Sequence, residues 1–247
     1  MKDLYPTRGD DVAILERQDP VVHWPRDSHP VLENHARLER FERDGYIFIP
    51  ELFHQAETKS LLKEAERLRD SATDERPDHA FFESGSNAVR SIFAVHRTSE
   101  RFAQACEDPR VLKLVRGILG DDVYVHQSRL NYKPAFRGRE FYWHSDFETW
   151  HAEDGMPRMR AVSLSLSLTP SFATNGPLMV IPGSQNTFVA CAGRTPPDHY
   201  RQSLVNQQFG TPDERAIETL AKRRGIKAPT GGAGSAVLFD CNIMHGS

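Results

Sequence analysis

Ala161-Val162-Ser163-Leu164-Ser165-Leu166-Ser167-Leu168-Thr169 alternates apolar and polar residues without a break. A strand sends successive side chains to opposite faces, so Val162, Leu164, Leu166 and Leu168 share a core face. Ser163, Ser165 and Ser167 share a wet one. Outward from this stretch, the chain after Asp122 reads as short β segments at 123–130, 160–169, 177–182 and 236–239. Before Asp122 it reads as helices at 31–43, 56–68 and 100–119, the last bent at Pro109, with one early strand at 46–49. Helices first and many short strands after them predict an α+β domain, a barrel or sandwich buttressed by helices.

The expected organisation is one domain over residues 1–247. Residues 1–30 mix Pro6, Pro20, Pro25 and Pro30 with charges and predict an irregular N-terminal arm. Residues 31–122 form a mainly helical part and 123–247 the strand-rich core. The polar stretch 195–227 interrupts that core as a lid or insertion.

Composition removes several function classes. The chain has 247 residues, 26% of them charged, and a formal net charge of -3, which leaves no basic footprint for nucleic acid or an anionic membrane. No stretch reaches the length of a membrane span, and Met1-Lys2-Asp3-Leu4-Tyr5-Pro6 lacks the apolar run of a signal peptide. Cys106, Cys191 and Cys241 are an odd, scattered set, which fits a reducing cytoplasm better than a disulfide framework.

The chemistry centres on His144-Ser145-Asp146. Read as a strand, these residues put His144 and Asp146 on one face, where both can grip one metal ion. The motif alone is weak, since His151-Ala152-Glu153 is a second triplet of the same kind. Its setting is stronger: Phe141-Tyr142-Trp143 precedes it and Phe147-Glu148-Thr149-Trp150 follows, the aromatic surround of a concave site. Much later, the apolar run ending at Asp240 leads into His245-Gly246, well placed to close a site begun by an earlier strand. Two histidines and a carboxylate make the facial triad of non-haem iron(II) oxygenases. That triad leaves open positions for a bidentate 2-oxo acid and dioxygen.

Asp44-Gly45-Tyr46, His144-x-Asp146, the run from Asn175 through Gly176-Pro177 to Ser184, and His245 together resemble the phytanoyl-CoA dioxygenase superfamily, from Phe41 onward. The resemblance implies a double-stranded β-helix (jelly-roll, cupin-like) core, iron(II), 2-oxoglutarate as cosubstrate and O2. The segment from Phe141 to Pro157 is similar to the hallmark segment of ectoine 5-hydroxylases. This implies conversion of ectoine, a cyclic amidine carboxylate that protects against osmotic stress, to 5-hydroxyectoine with release of succinate and CO2. Carried over, His144, Asp146 and His245 would bind iron. Gln127 would contact ectoine, with Trp150 and Arg129 as further substrate contacts. Lys133 would contact 2-oxoglutarate, with Asn131 and Ser247 as further cosubstrate contacts.

The residue types agree with these roles. Gln127, Arg129 and Asn131 share one face of a strand, continued by Lys133, and present donors to carboxylate-bearing ligands. Trp150 offers an aromatic face to an amidinium ring. The resemblance also implies a homodimer, and a basic residue past the second iron histidine to meet the distal carboxylate of 2-oxoglutarate. The sequence stops at Ser247, so this residue and the last jelly-roll strand are expected beyond it. Two alternatives stay open: the same chemistry on another small amino-acid-like molecule, and a jelly-roll protein that binds a ligand without turnover.

Overall fold

The computed structural model describes residues 3–23, 35–134, 138–196 and 210–247. Among these, β1 (Ala13–Glu16) precedes α1 (His35–Asp44), β2 (Tyr46–Ile49), α2 (Gln55–Glu75), β3 (Ala80–Phe82) and β4 (Val89–Phe93). Then come α3 (Val95–Thr98), α4 (Glu100–Cys106), α5 (Pro109–Leu119), β5 (Arg129–Asn131) and α6 (Asp146–Asp154). The chain continues through β6 (Val162–Leu166), β7 (Met179–Val180), β8 (Thr187–Ala190), α7 (Glu214–Arg224), β9 (Ala236–Asp240) and β10 (His245–Gly246).

The organising sheet is antiparallel, in the order β2-β9-β6. Opposite residues lie on one face, so the register Tyr46–Phe239–Ser163 and Phe48–Val237–Ser165 defines the first face. Ile47–Leu238–Leu164 and Ile49–Ala236–Leu166 define the second. The second face packs on the helices: Leu238 meets Phe41 of α1 and Ile118 and Leu119 of α5, and Leu164 and Leu166 pack against the cluster that holds Leu61 and Ala65 of α2. On the first face Val237 and Phe239 meet Val180 of β7 and Ile243. Both faces of β9 are therefore covered, and its sequence Ala-Val-Leu-Phe-Asp shows no alternation. β6 keeps its alternation because its serine face looks toward the cleft.

Three further sheets complete the described strands: the three-stranded β3-β4-β5 beside α2, and the pairs β7 with β10 and β1 with β8. The expected bend at Pro109 is a full break. α4 ends at Cys106, and α5 starts afresh with Pro109 in its first turn, Asp108 capping Arg110 N, and Gly120 closing it in the left-handed region. Gly45, at φ +79, has no room for a Cβ because the Gln185 side chain lies there, its amide bonded to the Glu42 carbonyl. That contact accounts for the Asp44-Gly45 pair.

Four further sequence expectations need correction. The N-terminal arm is not irregular throughout: β1 pairs with β8, from Ala13 opposite Ala190 to Glu16 opposite Thr187, and Tyr5 is fully buried. A four-residue strand whose partner is remote leaves no periodic signal. The remainder of the arm (24–30) and the start of the 31–43 helix lie outside the described residues. The strand expected at 123–130 shrinks to β5, because residues 123–128 find no partner strand among the described residues. In the 195–227 stretch, α7 is no lid: Ala216 and Leu220 pack into a cluster with Ile181, Val189 and Met244. Residues 197–209 lie outside the described residues. Finally, Asp146 does not continue a strand from His144 but opens α6.

Candidate active site

His144 and His245 face each other across an antiparallel bridge, each donating its backbone N–H to the other's carbonyl at 3.0 Å. The chain then turns at Ser145, whose hydroxyl accepts from Glu148 N at 3.1 Å and starts α6 with Asp146 as its first residue. Bridge and cap together bring three ligand groups into one place. Asp146 Oδ1 lies 3.7 Å from His144 Nε2 and 3.8 Å from His245 Nε2. The three donor atoms lie within 4.8 Å of one another, and all three residues are buried.

The orientation of each group is fixed from behind. His144 Nδ1 lies 2.7 Å from the Tyr142 carbonyl, and His245 Nδ1 lies 3.1 Å from the Ile243 carbonyl. A carbonyl only accepts, so each Nδ1 carries the proton and each Nε2 turns a lone pair to the centre. Ser163 donates to Asp146 Oδ2 at 2.7 Å, leaving Oδ1 as the oxygen nearest both imidazoles. Phe239 lies against His245, with ring centroids 4.9 Å apart.

Electrostatics favour metal-ready protonation states. Burial, with His245 close by, pushes His144 down to about 3, so its imidazole is neutral around pH 7. Burial alone would raise Asp146, but His245, His144 and Arg129 together with the Ser163 hydroxyl outweigh it and hold the carboxyl below its usual range. A neutral imidazole beside a carboxylate is the donor set that N/O-ligated transition metals require, and it fits iron(II).

The triad lies in an open cleft of about 1430 Å³. Gln127, Arg129, Asn131, Lys133, Trp150 and Ser247 line the same cleft as His144, Asp146 and His245. Only Arg129 and Asn131 lie in β5 itself; Gln127 precedes it and Lys133 follows it. Asn131 Oδ1 accepts from the Ser91 hydroxyl at 2.8 Å. Ser247 pairs its backbone with Phe141, at 2.8 and 3.0 Å. Trp150 sits mostly buried on α6, with His126 edge-on at 5.1 Å.

Burial, then the neighbouring Arg90, lowers the Lys133 ammonium's pKa, and its Nζ stands 5.5 Å from the centre of the Phe141 ring. Gly176, in the left-handed region at φ +69, lies directly against Lys133. A Cβ there would come within 2.8 Å of Lys133 Cδ and 2.9 Å of Nζ. The Asn175-Gly176-Pro177 run thus has a spatial reason that a turn-flanked strand does not supply. Sequence reasoning missed Ser163, Phe239 and Gly176. Alternation put Ser163 on the polar face of its strand, but only the pairing of β6 with β9 sets it opposite Phe239 and beside Asp146.

Comparison with known proteins agrees with this geometry. The family model for phytanoyl-CoA dioxygenase (PhyH) matches residues 41–247. The ectoine dioxygenase of Sphingopyxis alaskensis is 51% identical over 250 residues, covering 100% of this chain and 81% of the relative. That of Halomonas elongata is 49% identical over 249 residues, covering 100% of this chain and 74% of the relative. A crystal structure of EctD from S. alaskensis with 2-oxoglutarate and 5-hydroxyectoine superposes with a TM-score of 0.85 at 46% identity, over 99% of this chain and 80% of that one. The cupin-like oxygenase fold is shared, and the chain belongs to the phytanoyl-CoA dioxygenase family, among its ectoine dioxygenases.

Proposed function

We propose that this chain is an iron(II)- and 2-oxoglutarate-dependent dioxygenase that hydroxylates ectoine to 5-hydroxyectoine, releasing succinate and CO2. The observation that carries the reading is the convergence of two Nδ1-anchored imidazoles on a single carboxylate oxygen, in a cleft that Arg129 and Lys133 also line. When bound, iron(II) supplies the positions at which a 2-oxo acid is chelated and dioxygen activated.

The chain's own residues supply position and seclusion. His144, Asp146 and His245 hold the metal, and Ser163 keeps one Asp146 oxygen occupied so that the other serves as ligand. Lys133, with Asn131 and Ser247, holds the cosubstrate, its ammonium making a charge-assisted hydrogen bond to a carboxylate. Gln127 and Arg129 orient ectoine through its carboxylate, and Trp150 meets its amidinium, a contact worth about 0.5–2 kcal/mol. Phe239 and Trp150 keep bulk water from the reacting centre.

Residues 1–247 act as one oxygenase domain in this reading. A cytoplasmic location, suggested by the sparse, odd set of cysteines, and a part in the osmotic-stress response and a homodimer, which rest on the family resemblance, belong to the same proposal. Among the described residues no helix is long and apolar enough to cross a membrane.

The test is turnover of ectoine by purified protein with iron(II), 2-oxoglutarate and ascorbate. The expected result is succinate together with a product heavier by one oxygen, both abolished in His144→Ala. Succinate without hydroxyectoine would move the substrate to another small amino-acid-like molecule. No succinate at all would overturn the oxygenase reading.

A further inference from the structure

We infer that the N-terminal segment from Asp3 to Asp19 is a positioning strap for the metal triad, with one buried arginine holding each half of it. The inference rests on the metal-centre reading above.

Arg8 holds the Asp146 half. Its Nε and one terminal nitrogen donate to the two carboxylate oxygens of Glu148 at 2.7 and 2.9 Å, and the Thr7 hydroxyl adds a bond at 2.7 Å. Arg8 and Glu148 side chains are only 7% and 1% exposed. Glu148 lies in the first turn of α6, its N–H taken by Ser145, so the pair grips the turn that presents Asp146. Arg8 also reaches Thr195 at 3.0 Å and Glu153 at 3.3 Å. Its backbone is held at φ +59, an uncommon conformation for a residue with a Cβ. Such a conformation persists where surrounding contacts over-determine it. Here the Arg8 N–H donates to Cys191 O at 2.8 Å, and Gly210 packs so closely on Arg8 and Glu148 that no Cβ fits.

Arg17 holds the His245 half. One of its nitrogens donates to Asp240 Oδ1 at 2.8 Å, and others reach the carbonyls of Asp19 and Pro20 at 2.8 Å and of Met159 at 3.2 Å. Asp240 Oδ1 also accepts from Asn242 N at 2.8 Å, which fixes the turn leading from β9 to His245. The same turn touches the other half, because the Cys241 carbonyl accepts from Phe147 N, next to Asp146, at 2.8 Å.

Neither arginine lines the cleft, so both act through other groups. A buried ion pair adds little stability over an apolar pair of equal size, but a guanidinium paired to a carboxylate fixes geometry. Geometry is what a metal site reads: losing the direct hydrogen-bond partner of a ligand costs about 10–100-fold in metal affinity, and arginines one contact further back are expected at the low end of that range.

The test titrates Co(II) into metal-free protein and follows the visible absorption of the bound ion, at a temperature where each variant is folded by circular dichroism. Arg8→Gln and Arg17→Gln are expected to weaken Co(II) binding by about tenfold or more, with Arg8→Lys and Arg17→Lys keeping part of it. Ala72→Gly, in α2 and away from the triad, serves as a variant that loses stability but keeps Co(II) affinity. Glutamine variants that bind like the unaltered protein, or no more weakly than Ala72→Gly, would overturn the strap. Should the glutamine variants fail to fold, the lysine variants decide, and full affinity in both overturns it. Absence of Co(II) binding by the unaltered protein would instead remove the metal-centre reading, and the inference with it.

Discussion

At Gly176 the absence of a side chain matters, because the space where a Cβ would sit is taken by the Lys133 ammonium and its last methylenes. The far end of a lysine is flexible, so an added methyl group displaces the ammonium, with backbone strain of about 1–2 kcal/mol besides because φ is +69. Gly176→Ala is therefore expected to raise the KM for 2-oxoglutarate by about tenfold, the size of one charge-assisted hydrogen bond, with a smaller effect on the KM for ectoine. Steady-state kinetics with each substrate varied in turn measures this, and an unchanged KM for 2-oxoglutarate would detach Lys133 from the cosubstrate. At this scale the triad was legible from residue type, its aromatic setting and the family resemblance together. What held its members in place was not: the Tyr142 and Ile243 carbonyls and the Ser163 hydroxyl are chosen by where the backbone passes, and no residue type announces that.

At the scale of elements, α6 shows how a local signal can be misread. Alternation suggested that His144 and Asp146 share a strand face, yet Ser145-Asp146-Phe147-Glu148 carries the Ser-x-x-Glu pattern of a helix start. Its acids in the first turn suit the helix dipole as well. The N-terminal segment was misread for the opposite reason, having no local signal at all. Its order comes from β8 and from long-range bonds at Asp19, which accepts from Tyr5, Arg158 and Met159 N. Burial alone would raise Asp19, but those bonds outweigh it and hold the carboxyl below its usual range. A depressed carboxyl stabilises the fold fully above the unfolded value of about 3.9, and this contribution fades as pH falls below it. Asp19→Asn should accordingly lower stability at neutral pH and flatten its decline below about pH 4, as read by urea unfolding across that range. An acid limb as steep as that of the unaltered protein would show that Asp19 is not its source.

At the scale of the whole molecule, β9 is the shared wall. Its Leu238 face closes the helical layer, and its Val237 and Phe239 face closes the layer behind the metal site. Amides of β9 are therefore expected to exchange most slowly with solvent deuterium, opening only on global unfolding, while the exposed ends of α2 exchange first. Faster exchange in β9 than in β4 would mean that the two layers unfold separately. By itself the sequence determined the helices before Asp122, the strands β2, β6 and β9, the two faces of β6 and the residue types of the triad. The elements rest on residue type and on spacing within a few positions, which local geometry converts directly into structure, whereas the triad needed the family resemblance to join His245 to His144 and Asp146 across about a hundred residues. Tertiary structure alone decided that the serine face of β6 looks into a cleft, that Asp146 starts a helix, and that Arg8 and Arg17 stand behind the metal ligands. Those facts depend on pairings between residues far apart in the chain, such as Arg17 with Asp240, and such pairs exist only once the sheets have closed.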